Sequence, residues 1–230
     1  MKIAIISDVH SNFVALKEFI NDIKNQDISQ IYCLGDIVGV YPQFKEVVRF
    51  FMENNIISIL GNYDKACISE TVEKGLLYLR KELTEEQKKI FYWSHKNLDP
   101  RSKDFLASLP LKIRLEFEKN KVLLVHGSPN SISKYIFPDT PHLYLENMLK
   151  ENNCNVIICG HTHIPMIIET KEGYFINPGS LGMPKEDPSE ASYLIADFAS
   201  EEPKFLIKKI KFDNNYIEYI FKEKVLSSFI

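Results

Sequence analysis

The chain has 230 residues, of which 45% are hydrophobic and 26% are charged, and its formal net charge is −3. This balance is that of a globular protein, and the slight negative charge disfavours a stable nucleic-acid partner or an anionic membrane surface. No apolar stretch is long enough to span a bilayer, and Asp8 and His10 interrupt the amino-terminal apolar run too early for a signal peptide. The four cysteines lack C-x-x-C spacing, so we expect a reduced, cytoplasmic protein.

The first part of the chain alternates short apolar runs with amphipathic segments. Buried strands are predicted at residues 2–7, 31–34 and 56–60. Between them, apolar residues recur at every third or fourth position over 13–23 and 44–53, which predicts two helices with one apolar face each. This alternation is typical of parallel βαβ units, whose ligands bind beyond the carboxyl ends of the strands.

Residues 65–109 interrupt this alternation, because they contain no convincing strand and are rich in Glu, Lys and Leu. Thr84 with Gln87 three residues later predicts a capping box at a helix start. Asp99 followed by Pro100 predicts the start of a further short helix. We interpret residues 65–109 as a helical cap inserted over the strand ends.

The rest of the chain is rich in strands. They are predicted at residues 112–118, 122–125, 156–159, 166–169, 174–176, 192–198 and 204–212. Tight connections predict hairpins between the first two of these strands and between the fourth and fifth. Helices are expected before residue 150 and at 214–223. The length fits a single domain of residues 1–230 that carries the helical insertion.

Five of the apolar runs end in residues that bind metals well. The endings are Asp8-Val9-His10, Gly35-Asp36, Gly61-Asn62, His126-Gly127 and Gly160-His161-Thr162-His163. A single Asp or His at a strand end is more often a turn residue or a structural side chain. Five such endings, with glycines that let the backbone turn sharply, instead predict a site for borderline divalent metals.

These motifs, in this order, resemble those of the calcineurin-like metallophosphoesterases. That family carries D-x-H, G-D-x-x, G-N-H-[DE], H-G and G-H-x-H, and the resemblance covers nearly the whole chain. The segments 126–129 and 177–180 are more similar to the small bacterial and archaeal members than to the large eukaryotic phosphatases. The resemblance implies an α/β fold, with a β-sandwich flanked by helices in α/β/β/α layers and a helical cap insertion. It also places the loop Asn177-Pro178-Gly179-Ser180 beside the site.

The resemblance implies two divalent metal ions that share Asp36. The first would be held by Asp8, His10, Asp36 and His163, and the second by Asp36, Asn62, His126 and His161. A metal-bridging hydroxide would then attack the phosphorus of a small phosphorylated substrate, whether a phosphodiester, a phosphomonoester or a phosphoanhydride. Histidines and carboxylates without thiolates suit Mn or Fe, with Zn, Ni and Co as alternatives, better than Mg. The implied catalytic residues are Asp36, Asn62, Tyr63 and Asp64.

The sequence departs from the family motif at Tyr63, where the family has a histidine thought to protonate the leaving group. A tyrosine has a pKa near 10, so it keeps its proton at pH 7 and is poorly suited to general acid catalysis. Three interpretations stay open. The enzyme prefers leaving groups that need little protonation, such as phosphoanhydrides and aryl phosphodiesters; or His95 or His142 supplies the proton; or catalysis is lost.

The third interpretation describes a catalytically inactive, metal-binding interaction protein, for which the retromer subunit with this fold is a precedent. We favour an active enzyme, because all seven ligand residues are present. A dinucleotide-binding protein is disfavoured, since no G-x-G-x-x-G follows the first strand.

Overall fold

In a computed structural model of the protein, the structure describes residues 1–79, 83–225 and 227. Within these residues the strands are β1 Lys2–Ile6, β2 Gln30–Cys33, β3 Ile57–Ser58, β4 Lys112–Phe117, β5 Asn120–Val125, β6 Val156–Ile158, β7 Met166–Thr170, β8 Gly173–Asn177, β9 Glu190–Asp197 and β10 Lys204–Lys211. The helices are α1 Phe13–Ile23, α2 Phe44–Glu53, α3 Asn62–Cys67, α4 Val72–Leu76, α5 Glu85–Asn97, α6 Pro100–Ala107, α7 His142–Glu151 and α8 Asn214–Lys224.

The described strands form two mixed five-stranded sheets. The first has the order β10-β9-β1-β2-β3, with β1, β2 and β3 parallel and β9 antiparallel to β1. The second has the order β4-β5-β6-β8-β7, in which β5, β6 and β8 are parallel and the two outer strands are antiparallel to their neighbours. The predicted hairpins are therefore β4–β5 and β7–β8.

The alternation of side chains along each strand builds three apolar layers. On β1, Ile3 and Ile5 pack in the core between the two sheets, whereas Ala4 and Ile6 pack in the core shared with helices α1 and α2. On β5, Leu123 packs on the opposite side, in the core that includes residues of α7. The molecule is therefore a β-sandwich flanked by helices, which confirms the predicted fold class.

The predicted cap contains helices α3 to α6, and residues 80–82 within it lie outside the described part. The capping box at the start of α5 is formed, because Gln87 N donates to Thr84 Oγ1 at 3.2 Å and Thr84 N donates to Gln87 Oε1 at 3.0 Å. Helix α6 begins at Pro100, as predicted. The first helix, α3, begins at Asn62, which is three residues before the expected boundary.

The strand predicted at 56–60 is reduced to β3, because the backbone N–H groups of its two end residues, Ile56 and Leu60, donate elsewhere. Ile59 N still donates to Cys33 O on β2 at 3.0 Å, but Leu60 N donates to Pro110 O at 2.8 Å. Leu60 therefore connects the residue that follows the predicted cap to the start of the Gly61-Asn62 motif. None of the helices in the described ranges is both long and apolar enough to cross a membrane.

Candidate metal centre

Five of the seven predicted ligands have a left-handed backbone. The φ angles are 54° for Asp8, 48° for His10, 51° for Asp36, 66° for His161 and 62° for His163. Residues with a Cβ seldom adopt this conformation, which costs on the order of 1 kcal/mol each. Backbone hydrogen bonds hold the strained turns together, since Asp8 N donates to Gly35 O at 3.0 Å and His10 N donates to Asp36 O at 2.8 Å. These turns bring side chains from different strand ends into one place.

The predicted ligands form two buried clusters. One contains Asp8, His10 and His163, and the other contains Asp36, His126 and His161, each with its ligand atoms within 4.8 Å of one another. In the first cluster, His163 Nε2 lies 3.2 Å from Asp8 Oδ1 and 3.2 Å from His10 Nε2.

The carboxylate of Asp36, a member of the second cluster, also lies close to the first cluster. Its Oδ2 atom is 3.8 Å from Nε2 of His10 in one cluster and 3.4 Å from Nε2 of His126 in the other. The amide oxygen of Asn62 also reaches the second cluster, because Asn62 Oδ1 is 2.8 Å from His126 Nε2. All seven predicted ligands are thus brought together, and Asp36 has the position expected of a bridging ligand.

Hydrogen bonds from outside the clusters orient the candidate ligand side chains. Nδ1 of His126 lies 2.7 Å from Leu34 O, and Nδ1 of His163 lies 2.8 Å from Met183 O. When these Nδ1 atoms donate to the carbonyl groups, each Nε2 is left with a lone pair for a metal. The rings are therefore set for metal binding by the backbone around them.

The two carboxylates are oriented in a similar way. Asp8 Oδ2 accepts from Ser7 Oγ at 2.5 Å and from His161 N at 3.0 Å, and Asp36 Oδ1 accepts from Tyr63 N at 2.7 Å. The other oxygen of Asp8, Oδ1, is buried and accepts no hydrogen bond in the described structure, because the nearby His163 Nε2 carries no proton when Nδ1 donates to Met183 O. A buried carboxylate oxygen without a donor is costly, and a cation would relieve that cost.

Two glycines of the motifs allow the strand ends to approach closely. A Cβ atom on Gly61 would lie 2.0 Å from Asp36 N and 2.1 Å from Asp36 Oδ1. A Cβ on Gly160 would lie 2.0 Å from Ser7 Oγ and 2.8 Å from Asp8 Oδ2. These glycines are therefore needed because each packs directly against a candidate ligand carboxylate or its hydrogen-bond donor.

The predicted supporting loop at 177–180 lies beneath the first cluster. Ser180 Oγ donates to Asp8 O at 2.8 Å, and Asn177 Nδ2 donates to Gly160 O at 2.8 Å and to Thr162 Oγ1 at 2.9 Å. The loop thus connects the backbone of two ligand motifs that belong to different sheets.

The protonation states follow from burial and from the neighbouring charges. Burial lowers the pKa of both His10 and His161 to about 4, which makes them neutral and able to bind a metal at pH 7. Burial acts to raise the pKa of the Asp8 and Asp36 carboxyls, but the adjacent histidines lower both below the usual range. His126 is the exception: burial acts to lower its pKa, but the Asp36 carboxylate raises it to about 9.

The donor set fits divalent cations of the transition series. Each cluster combines one carboxylate with two imidazoles, an amide oxygen lies beside the second cluster, and no described thiol contributes. A cation in the second cluster would replace the proton that His126 holds there, because metal binding requires the neutral imidazole.

Tyr63 and Asp64, the other predicted catalytic residues, have different surroundings. Tyr63 lines the cavity at the centre, and its ring makes an edge contact with the ring of His10 at a centroid distance of 5.0 Å. Asp64 is buried, and its carboxylate accepts from Val38 N at 3.0 Å and from Gly61 N at 2.9 Å. Burial, followed by the charge of Asp36, raises the pKa of Asp64 to about 7.

Among the described residues, Asp64 does not line the cavity. Its hydrogen bonds link two motif loops, so its position is that of a structural support, and its catalytic role stays a prediction. The two histidines considered as substitute acids also lie elsewhere. His95 Nε2 is 2.8 Å from Ser69 O within the cap, and His142 is exposed at the start of α7.

A cavity of about 170 Å³ opens over the two clusters. Much of its wall is formed by residues to which the sequence analysis gave no role at the site, namely Tyr78, Leu79, Leu83, Gln87, Ser133, Tyr135, Thr162, Met183 and Lys185. Tyr135 stacks on the ring of His161, with the centroids 4.1 Å apart and an angle of 14° between the planes. These residues belong to loops and to the cap, where no periodic pattern in the sequence indicates their position.

The chain is similar in sequence and fold to known proteins. A family profile described as the calcineurin-like phosphoesterase superfamily domain matches residues 1–201. An uncharacterized protein of Methanocaldococcus jannaschii is 33% identical, covering 92% of this chain and 88% of its own length. The phosphodiesterase YfcE of Escherichia coli is 26% identical, covering 71% of this chain and 84% of its own length. The crystal structure of a metallophosphoesterase from Sphaerobacter thermophilus matches with a TM-score of 0.76 and 28% identity, covering 97% of this chain and 93% of that chain.

Proposed function

This chain belongs to the calcineurin-like phosphoesterase superfamily, and we propose that it is a binuclear metal-dependent hydrolase of small phosphoesters, with phosphodiesters as the first class to test. One observation carries the proposal: two buried clusters of carboxylates and imidazoles meet at Asp36 and open into a single cavity. The phosphodiesterase from Escherichia coli that resembles the chain supports the choice of phosphodiesters.

The proposed ligands follow the two clusters. The first ion would be held by Asp8, His10, Asp36 and His163, and the second by Asp36, Asn62, His126 and His161. When bound, two divalent ions neutralise charge on the phosphoryl oxygens and lower the pKa of water towards neutrality. Mn or Fe is the expected metal, because imidazole and carboxylate donors suit these ions.

The residues of the chain position the ions and the substrate. Asn62 Nδ2 donates to Tyr78 O at 3.2 Å, which leaves Asn62 Oδ1 directed towards His126. Tyr63 lines the cavity beside His10, where its phenol can donate a hydrogen bond to a substrate oxygen. A phenol with a pKa near 10 stabilises that oxygen without giving up its proton at pH 7. The leaving group therefore has to be one that departs with little protonation, such as a phenolate or a phosphate.

The second candidate function is a metal-binding interaction protein without catalysis. The observation that favours it is Tyr63 itself, because no described histidine other than the proposed ligands lines the cavity. The two candidates differ in turnover and agree in metal content.

The test is to purify the protein without chelator, to measure bound metals by elemental analysis, and to assay bis-p-nitrophenyl phosphate with and without Mn²⁺. We expect about two metals per chain and hydrolysis that Mn²⁺ stimulates. Asp36→Ala and His161→Ala should abolish the hydrolysis, and His142→Ala, at an exposed position outside the cavity, should retain it. Bound metal without turnover of aryl, anhydride or monoester phosphates would favour the interaction protein. No metal under any loading condition would mean that the ligand assignment is wrong.

A further inference from the structure

The wall of the cavity divides into two chemical halves. One half consists of the proposed ligands His10, Asp36, Asn62, His161 and His163. The other half is mainly aromatic or aliphatic, with Tyr63, Tyr78, Leu79, Leu83, Tyr135 and Met183, and its polar members are Gln87, Ser133, Thr162 and Lys185. A phosphoryl group bound at the clusters therefore presents its ester substituent to a largely apolar surface.

Of the three tyrosines, Tyr78 has the ring best suited to stack on a substituent. Tyr135 already lies between two roughly parallel rings, His161 with its centroid at 4.1 Å and Phe137 with its centroid at 5.5 Å. Tyr63 makes its contact with His10 at a steep angle of 84°. The Tyr78 ring has the ammonium group of Lys65 at 4.4 Å from its centroid, which fixes the ring through a cation–π contact.

The backbone of Tyr78 is tied directly to the proposed metal centre. Its carbonyl oxygen accepts from Asn62 Nδ2 at 3.2 Å and from Ser133 Oγ at 3.3 Å. One peptide oxygen thus joins a proposed ligand, the cap and the loop that follows β5. These bonds hold the backbone of Tyr78 in place relative to the phosphoryl site, and the contact with Lys65 positions its ring.

The size and polarity of the cavity restrict the substituent. Its volume of about 170 Å³ is shared between the phosphoryl group at the clusters and the substituent, which favours a small substituent over a large one. A single aromatic ring fits this scale and buries apolar surface against Tyr78, Leu79 and Leu83. A polyol or a sugar placed against Leu79 and Leu83 would lose hydrogen bonds to water and gain none from those two side chains.

We propose that the substrate class of this enzyme is an aryl phosphoester whose single ring packs against Tyr78 in the cap. The proposal rests on the proposed function, and Tyr63 supports it independently, because a phenolate leaves without a general acid. In the reaction, a bond forms between the oxygen of water and phosphorus, and the bond from phosphorus to the aryl oxygen breaks. The electron pair departs with the phenolate, which takes a proton from solvent, and the attacking water releases its proton to solvent.

Phosphonates test recognition separately from turnover, because their carbon–phosphorus bond replaces the reacting ester bond. We would titrate metal-loaded protein with phenylphosphonate, cyclohexylphosphonate and methylphosphonate by isothermal calorimetry. Phenylphosphonate should bind about tenfold more tightly than methylphosphonate, with cyclohexylphosphonate between them. Equal affinities for the three, no binding of any of them, or a preference for cyclohexylphosphonate over phenylphosphonate would overturn the proposal.

Variants locate the recognition at Tyr78. Tyr78→Leu should reduce the affinity for phenylphosphonate to that for cyclohexylphosphonate, and Tyr78→Phe should retain the preference for the aromatic ring. Tyr92→Leu is the matched control, because Tyr92 lies on helix α5 of the same cap, is exposed and is outside the cavity wall. A preference for the phenyl group that survives Tyr78→Leu would refute the assignment of Tyr78.

The two proposals fail in different ways. Selective binding of phenylphosphonate without hydrolysis of any phosphoester would contradict the proposed function and leave the aromatic recognition intact. Hydrolysis of bis-p-nitrophenyl phosphate together with equal binding of the three phosphonates would contradict only the aryl substrate class.

Discussion

The contact between Gly160 and Ser7 gives a sharp test of how the first cluster is built. A Cβ at position 160 would lie 2.0 Å from Ser7 Oγ, which itself donates to Asp8 Oδ2 at 2.5 Å. Both Ser7 and Asp8 are fully buried, so the hydroxyl has little space to move. We expect Gly160→Ala to destabilise the protein by about 2–3 kcal/mol through overpacking.

Removal of the hydroxyl should relieve much of that clash. Ser7→Ala alone should cost about 1–2 kcal/mol, because it removes a hydrogen bond to a buried carboxylate. The double variant Gly160→Ala with Ser7→Ala should then be more stable than the sum of the two single effects by at least about 1 kcal/mol. Some cost should persist, because Asp8 Oδ2 would still lie 2.8 Å from the new methyl group.

Urea denaturation in the presence of a chelator measures these free energies of unfolding without a contribution from metal binding. Ser102→Ala combined with Gly160→Ala is the control, because Ser102 is also buried and also donates to a carboxylate, that of Asp99, at 2.8 Å in the cap. This pair should be additive. Additivity of the Ser7 pair within about 0.5 kcal/mol would refute the steric explanation for the glycine.

Three further predictions concern the ring stacked on His161, the carboxylate of Asp22 on helix α1, and the bound metal. Tyr135→Ala should weaken metal binding at the second cluster about tenfold, because it removes the ring stacked on His161, and Tyr135→Phe should preserve it; calorimetric metal titration distinguishes the two. Asp22 accepts hydrogen bonds from Lys208 at 2.6 Å and from the Tyr193 hydroxyl. Partial burial acts to raise the pKa of Asp22, but these hydrogen bonds lower it. The stabilisation from these bonds is therefore present at pH 7 and is lost as the pH falls through the lowered pKa. Asp22→Asn should therefore cost about 1 kcal/mol at pH 7 and have less effect near pH 3 in urea denaturation, and an equal cost at both pH values would contradict this reasoning. Removal of metal by a chelator should lower the melting temperature, and Mn²⁺ at a hundred times its dissociation constant should restore about 2.7 kcal/mol; a melting temperature that does not respond to Mn²⁺ would argue against the site.

The sequence predicted the fold well because strand and helix periodicities are local. The apolar run before Asp8 and the three- and four-residue spacing over α1 each reflect a surface that must be buried, and both elements are formed. The fold class could be predicted because parallel strands separated by helices can pack in only a few ways. The boundary of β3 was missed because Leu60 pairs with Pro110, fifty residues further along the chain, and no local pattern indicates such a contact.

The proposed ligands were identified from strand-end motifs, but other features of the site were not. The left-handed backbone of His10 and His161 depends on contacts between loops from different strands, so residue type alone does not indicate it. Tyr78 and Tyr135 line the cavity because the fold brings a cap loop and the loop after β5 together. Asp64 was predicted from its place in the motif, and only the structure places its carboxylate against the backbone of Val38 and Gly61.

At the left-handed turns of the strand ends, the residue types that best fit the backbone differ from those that can bind a metal. Glycine would relax the backbone at Asp8, His10, Asp36, His161 and His163, and asparagine would strain it less than most residues. A mutational library screened only for soluble, folded protein in the presence of chelator should therefore enrich glycine and asparagine at these positions. A library screened for metal retention should reject the same substitutions. The positions at which the two screens disagree would identify the residues whose backbone strain lowers stability and whose side chains are needed to bind metal.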